Sequence, residues 1–294
     1  MWIWASRPKP QLSLNTVAGF IFDLGLGRNE KRTRTAGAPA RKARIQAYNI
    51  TAFLGSLICP LQGNFDQEES VKITIVQFDH EVVAGTYARW LQEEQVDSEV
   101  LTPDSCAPLS PCDADALLLL GGHMGVAQKQ DHPLLQRCHA ALPQIVAQGT
   151  PMLAICLGAQ LLADALGGRA LSKQRGERGA TPIHLTAGGQ RDPLFAKIDS
   201  PFISVQWHND CFDLPPAATH LAYTETCPGQ AFRCNNAYGV QFHPEVDAAI
   251  IADWCKRAGV ADTEPLAAFQ NVKDRYRTAS RQLLTNFLRQ IARK

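Results

Sequence analysis

PMLAICLGAQLLADALGG, residues 151–168, decides the reading of this chain. An apolar run leads straight into Cys156, an amphipathic helical pattern begins at once, and Gly167 and Gly168 stop it. This is the strand–nucleophile–helix arrangement of a nucleophile elbow, with Cys in the place of Ser. The tight turn projects the side chain beyond the sheet edge, and Gly158 sits two residues past the cysteine. The following helix offers unpaired N–H groups and the positive end of its dipole, which favour a thiolate. The competing reading of any cysteine is a small buried hydrophobe. That reading suits the other eight cysteines, whereas the strand–turn–helix context sets Cys156 apart.

Working outward, the pattern alternates. Strands are expected at 73–78, 98–101, 116–120 and 151–155, with helices at 86–94, 134–148 and 158–166. Short strands follow at 182–185, 202–206, 220–224, 231–233 and 239–242, then helical segments from 247 and again over 275–291. Alternating strands and helices predict an α/β fold of three layers with a doubly wound, mainly parallel sheet and a β-rich C-terminal portion. The expected organisation is a leader over 1–70, a single domain over 71–257, and a helical tail over 258–294 that packs on that domain.

The leader differs in composition. Residues 1–70 hold nine Lys/Arg against five Asp/Glu, and the stretch 28–44 (RNEKRTRTAGAPARKAR) is polar, basic and without periodicity, which reads as disorder. The preferred reading is an unstructured or mistranslated leader, with Val71 as the true first residue; an organellar transit peptide is the alternative. The whole chain of 294 residues carries a net charge of +1, so nothing calls for nucleic acid or an anionic membrane. No apolar run reaches the length of a membrane span. Nine cysteines at irregular spacings, with no CxxC pair, argue against a disulfide framework and a zinc cluster, and point to a reducing cytoplasm. His80, His132, His139, His184 and His220 are scattered without ligand spacing, so no metal is expected.

A cysteine nucleophile needs a base. QFHPEV, residues 241–246, offers His243 at the end of a strand and Glu245 two residues on, placed to orient the imidazole as the third member of a triad. An oxyanion hole is also required. ALLLLGGHMGV, residues 116–126, ends a second strand in Gly121 and Gly122. The N–H groups near Gly122 and of Leu157 are the candidates.

Together the elbow CLGAQ, the distal QFHPEV and the upstream LLLLGGHMG resemble, in order, the motifs of the class I glutamine amidotransferases, over about residues 71–257. SVQWHNDCFDLP (204–215) and ETCPGQAFRCNNAYGVQFHPE (225–245) are similar to segments of the GMP synthase amidotransferase domain and its free-standing relatives. The resemblance implies a flavodoxin-like sheet and no cofactor. It implies that Cys156 forms a γ-glutamyl thioester, that His243 is general base and then acid to ammonia, and that Glu245 orients His243. It further implies that Gly121, Gln160, the backbone around His208 and Asn209, and Asp210 hold the substrate. His123 stands where many relatives have proline, and 177–186 lacks an aromatic residue many relatives carry. These departures bear on specificity and leave His123 open as a loop-former, a substrate contact or neither.

No GxxxxGK[ST] loop occurs, and nothing after residue 246 offers the ATP-pyrophosphatase part of a GMP synthase. The acceptor site is therefore expected on a separate synthetase subunit, or there is none. The expected function is hydrolysis of the γ-amide of glutamine. The alternatives are a γ-glutamyl peptidase or hydrolase of the same fold, and a non-catalytic binding protein on this scaffold.

Overall fold

The computed structural model describes residues 71–106, 114–260 and 264–292; the expectation for residues 1–70 lies outside them. The framework is a nine-stranded sheet. Five parallel strands form one half: β1 (Lys72–Val76), β2 (Asp97–Leu101), β3 (Ala116–Leu119), β4 (Met152–Ile155) and, last in sequence, β11 (Ala237–Val240), in the order β2-β1-β3-β4-β11. Beyond β11 the sheet continues antiparallel through β10 (Ala231–Cys234), β9 (Thr219–Tyr223), β6 (Glu177–Leu185) and β7 (Phe202–His208). A separate pair joins β5 (Arg169–Leu171) to β8 (Cys211–Asp213).

The central strands are apolar throughout because both faces are covered. Leu118, Leu153 and Ile155 face one core with Tyr87, Trp90 and Leu91 of helix α1 (Gly85–Glu93) and Leu283, Leu284 and Phe287 of helix α5 (Glu264–Ile291). Leu117, Leu119, Met152 and Ala154 face the other, against Leu135, Cys138 and Leu142 of helix α2 (Pro133–Ala147) and Leu161 and Leu162 of helix α3 (Leu157–Ala165). A third cluster joins Val205 and Val246 to Ile251 and Trp254 of helix α4 (Ala248–Arg257) and to Phe269 and Tyr276 of α5. No helix among the described residues is long and apolar enough to cross a membrane.

The doubly wound, mainly parallel half and the β-rich second half appear as expected, with three local differences. The final helix begins at Glu264 rather than 275; Leu266, Phe269 and Tyr276 give that extra length an apolar face on the third cluster. β6 starts five residues before the expected 182 because residues 177–183 pair with β7. The reading of all cysteines as unpaired is corrected: Cys211 and Cys227, 16 residues apart, form a disulfide. The fold brings β8 against the turn after β9, a proximity that the spacing of the two residues does not encode.

In such sheets, ligands collect beyond the carboxyl ends of the parallel strands, where the winding direction reverses. The chain leaves β1 to form β2 on one side and returns to form β3 on the other. The segments following β1, β3, β4 and β11 all emerge at that edge.

Candidate active site

Cys156 sits between β4 and α3 with φ 50° and ψ −109°, a backbone conformation uncommon for a non-glycine residue. Three hydrogen bonds hold it there. Its N–H donates to the Val240 carbonyl at 2.8 Å, the Gly158 N–H donates to the Leu120 carbonyl at 3.1 Å, and the Gln160 N–H closes the first helical turn on the Cys156 carbonyl at 2.9 Å. A Cβ on Gly158 would lie 2.9 Å from Leu119 Cβ and from the Leu119 carbonyl oxygen. Glycine is required there because α3 enters directly under the end of β3.

Val240 pairs with Ile155, so the residues after β11 emerge beside Cys156. Gln241 Nε2 donates to the Cys156 sulfur at 3.6 Å, and Gln160 Nε2 donates to Gln241 Oε1 at 3.2 Å and to the Asp210 carbonyl at 3.1 Å. The strand ends at Val240, short of the expected 242. His243 is instead pinned by its own N–H to the Val205 carbonyl of β7 at 2.8 Å. Its Nδ1 lies 2.8 Å from Glu245 Oε1, and both side chains are buried. Nε2 is also buried, with no partner in strict hydrogen-bond geometry among the described residues. Burial alone would depress the imidazole pKa, but the Glu245 carboxylate and the Cys156 sulfur outweigh it and raise it to about 10. The paired arrangement favours an imidazolium beside the sulfur.

The loop HPEV is braced from two sides. The N-terminus of α1 grips the Glu245 carbonyl through the Thr86 N–H at 2.7 Å and the Thr86 hydroxyl at 3.0 Å. Gly85, at φ +50°, must be glycine because a Cβ would collide with that same carbonyl. From α5, the Tyr276 hydroxyl lies 3.0 Å from the His243 carbonyl and 2.9 Å from that of Val246.

A cavity of about 360 Å³ opens over these groups, within the range of small-molecule sites. Cys156, His243, Gly122, Gln160, His208, Asn209 and Asp210 line it. Gly121 lies just beneath: a Cβ there would be 3.2 Å from His243 Cε1 and 3.6 Å from Cys156 Cβ. Gly122 packs against Leu157, whose Cδ2 would be 2.8 Å from an added Cβ. Leu157 opens α3, so its N–H has no partner one turn earlier in the helix. Glu245 stands behind His243, away from the lining. Thus the ten sequence-predicted residues converge on one region.

Local geometry refines several of them. His208 Nδ1 lies 2.8 Å from the Asp210 carbonyl, so it carries the proton and donates, while Nε2 faces the Glu177 carboxylate at 3.4 Å. The His208 ring therefore supports the 208–210 turn from within. The Asp210 carboxylate accepts from the Lys173 N–H at 2.7 Å. His123 holds its loop and also lines the cavity: its N–H donates to Asp79 Oδ2 at 3.1 Å and its Nδ1 sits 2.5 Å from the same oxygen. Burial pushes the Asp79 carboxyl up, but hydrogen bonds from the Glu81 N–H and from His123 hold it below the usual range.

Sequence reasoning missed Asp79, Glu177, Gln241, Thr86 and Tyr276. It also missed a wall of the cavity made by Trp254, Trp207 and Arg178. Gln241 and Trp207 stood inside quoted motifs; Asp79, Glu177, Thr86 and Tyr276 act across long sequence separations that carry no local signal.

Residues 76–250 match the family described as glutamine amidotransferase class-I. Over 169 residues the chain is 34% identical to the glutamine amidotransferase-like protein YfeJ of Salmonella typhimurium, spanning 55% of this chain and 70% of that protein. It is 34% identical over 165 residues to a GMP synthase of Synechocystis, but the match spans only 28% of that longer protein. A solved glutamine amidotransferase of Thermotoga maritima shares the fold, with a TM-score of 0.67 at 24% identity, covering 76% of this chain and 99% of that one. The chain belongs to the class I glutamine amidotransferases.

Proposed function

We propose that this protein hydrolyses the γ-amide of glutamine through a thioester on Cys156. Family membership supports glutamine amide hydrolysis in general; the assignment of residues is our reading. The Cys156 sulfur attacks the γ-carbonyl carbon, and the carbonyl electron pair moves to oxygen. The N–H groups near Gly122 and of Leu157 are the donors we assign to that oxyanion. Collapse breaks the C–N bond, and the nitrogen takes a proton from His243 and leaves as ammonia. Water then adds to the thioester carbon and returns a proton to His243. The C–S bond breaks, releasing glutamate. Glu245 holds the imidazole tautomer and favours its protonated form, and Gly121, Gln160 and residues 208–210 position the amino-acid end.

One observation carries the reading: the elbow cysteine and a buried imidazole, raised to about 10 by its carboxylate and the sulfur, share one cavity. Cys156→Ala should lower glutamine turnover by about 10³-fold or more, the scale of losing a triad nucleophile. Mass spectrometry should find iodoacetamide on Cys156 at pH 7. Retained turnover in Cys156→Ala would refute the assignment.

The ammonia has two fates in this reading: transfer to a synthetase on another chain, or release. A γ-glutamyl peptidase is the second reading. It is favoured by the extension of the cavity past His243 to Trp207 and Arg178.

A further inference from the structure

Glutamine alone leaves one wall of the cavity without a task. Trp254 meets the His243 ring edge-on, centroids 4.9 Å apart. Trp207 meets Trp254 at 5.7 Å, and the Arg178 guanidinium lies over the Trp207 ring at 4.6 Å. Arg178 and Trp207 are direct cross-strand neighbours on β6 and β7, so sheet register fixes the stack. All three line the cavity that holds Cys156 and His243.

The two arginines of that lining differ in their charge balance. Arg257 is paired with Glu81 and Asp253. Arg178 has no carboxylate partner among the described residues, and its contact is the indole face. The other acids of the lining are committed elsewhere: Asp79 to His123 and the Glu81 N–H, and Asp210 to the Lys173 N–H. The exposed cation at the rim is therefore available to an anionic group of a ligand.

Chemistry says which part of a ligand reaches it. The general acid hands its proton to the leaving nitrogen, so the leaving group lies on the His243 side. Ammonia carries nothing for an indole wall or a guanidinium to read. An amino acid does: an apolar side chain for Trp254 and Trp207, and a carboxylate for Arg178. Resting on the reading of Cys156 and His243 given above, we propose that Trp254, Trp207 and Arg178 form a leaving-group subsite for the C-terminal amino acid of a γ-glutamyl dipeptide, with Arg178 binding its carboxylate. The Cys156 sulfur bonds to the γ-carbon and the C–N electron pair goes to nitrogen. That nitrogen takes the His243 proton, and the free amino acid departs. Water then cleaves the thioester to glutamate as before.

A cation stacked on an indole also steadies a sheet edge by itself, so the test must read recognition. The full chain carrying Cys156→Ala is titrated calorimetrically with γ-glutamyl-phenylalanine and with the same dipeptide bearing a C-terminal amide. The free acid should bind about ten-fold more tightly than the amide, as expected for a charge-assisted contact at a rim. Adding Arg178→Gln should erase that difference by weakening the acid alone, and Arg178→Lys should restore part of it. Equal affinity for acid and amide, no binding of the dipeptide, or a difference that survives Arg178→Gln overturns the proposal. If Arg178→Gln does not fold, the acid–amide comparison with Arg178 in place decides. Glutamine turnover by the native chain is measured alongside. Turnover without acid–amide discrimination sinks the subsite alone. Discrimination without turnover, and with Cys156 inert to iodoacetamide, sinks the hydrolase reading alone.

Discussion

His243 is buried against a carboxylate and a sulfur, and its proton is retained up to about pH 10. A group whose folded pKa lies above its ordinary value of 6.5 stabilises the fold fully below that value and loses the contribution as pH rises through the folded pKa. The melting-temperature gap between the native protein and Glu245→Gln should therefore be widest near pH 6 and narrow towards pH 10. A gap that widens with pH would remove Glu245 as the source of the raised pKa. Turnover should hold across neutral pH and decline towards pH 10 as the general acid is lost. Glu245→Gln should also cut turnover by roughly 10²–10⁴-fold, the scale of losing the group that orients a catalytic imidazole. The elbow and the HPE motif made these residues legible because their chemistry is local: a turn, a helix start and a carboxylate two residues from an imidazole. Tyr276 and Thr86 were not legible. They act on the HPE loop through carbonyl groups 30 and 159 residues away, and no spacing in the sequence records such a contact.

At the scale of elements, the site depends on how closely α3 and the loop after β3 approach. Gly158→Ala should be chiefly a stability variant. Its methyl meets backbone oxygens that cannot yield, and overpacking of this kind costs about 1–3 kcal/mol, measurable by urea unfolding. Gly121→Ala should be chiefly an activity variant, since its methyl presses on the His243 ring at 3.2 Å. A loss of stability at residue 121 as large as that at 158, with turnover preserved, would contradict this division. Strands such as β3 and β4 were legible because fully apolar runs ending in Gly or Cys can be buried on both faces of a parallel sheet. The small β5–β8 pair was not, because three-residue strands such as RAL and CFD carry no periodicity. The first turns of α5 were legible in principle, from the apolar spacing of Leu266, Phe269 and Tyr276, but the polar residues between them hid it.

For the whole molecule, the family match begins at residue 76, the last residue of β1. A chain beginning at Val71 is expected to melt cooperatively and to keep its turnover; loss of either would give residues 1–70 a structural task. Glutamine hydrolysis by the isolated chain should be slow if ammonia is destined for a synthetase, and a partner from the same genome should then stimulate it strongly. Efficient unassisted cleavage of a γ-glutamyl dipeptide would favour the peptidase instead. Helix α5 adds a last consequence. Near its middle it bonds the His243 and Val246 carbonyls through Tyr276, and its C-terminal half lays Leu283, Leu284 and Phe287 on the sheet. Such a strap can open locally at lower free energy than the sheet it covers. Inactivation in mild denaturant should then run ahead of sheet unfolding, and amide exchange along α5 should quicken in step with the loss of turnover.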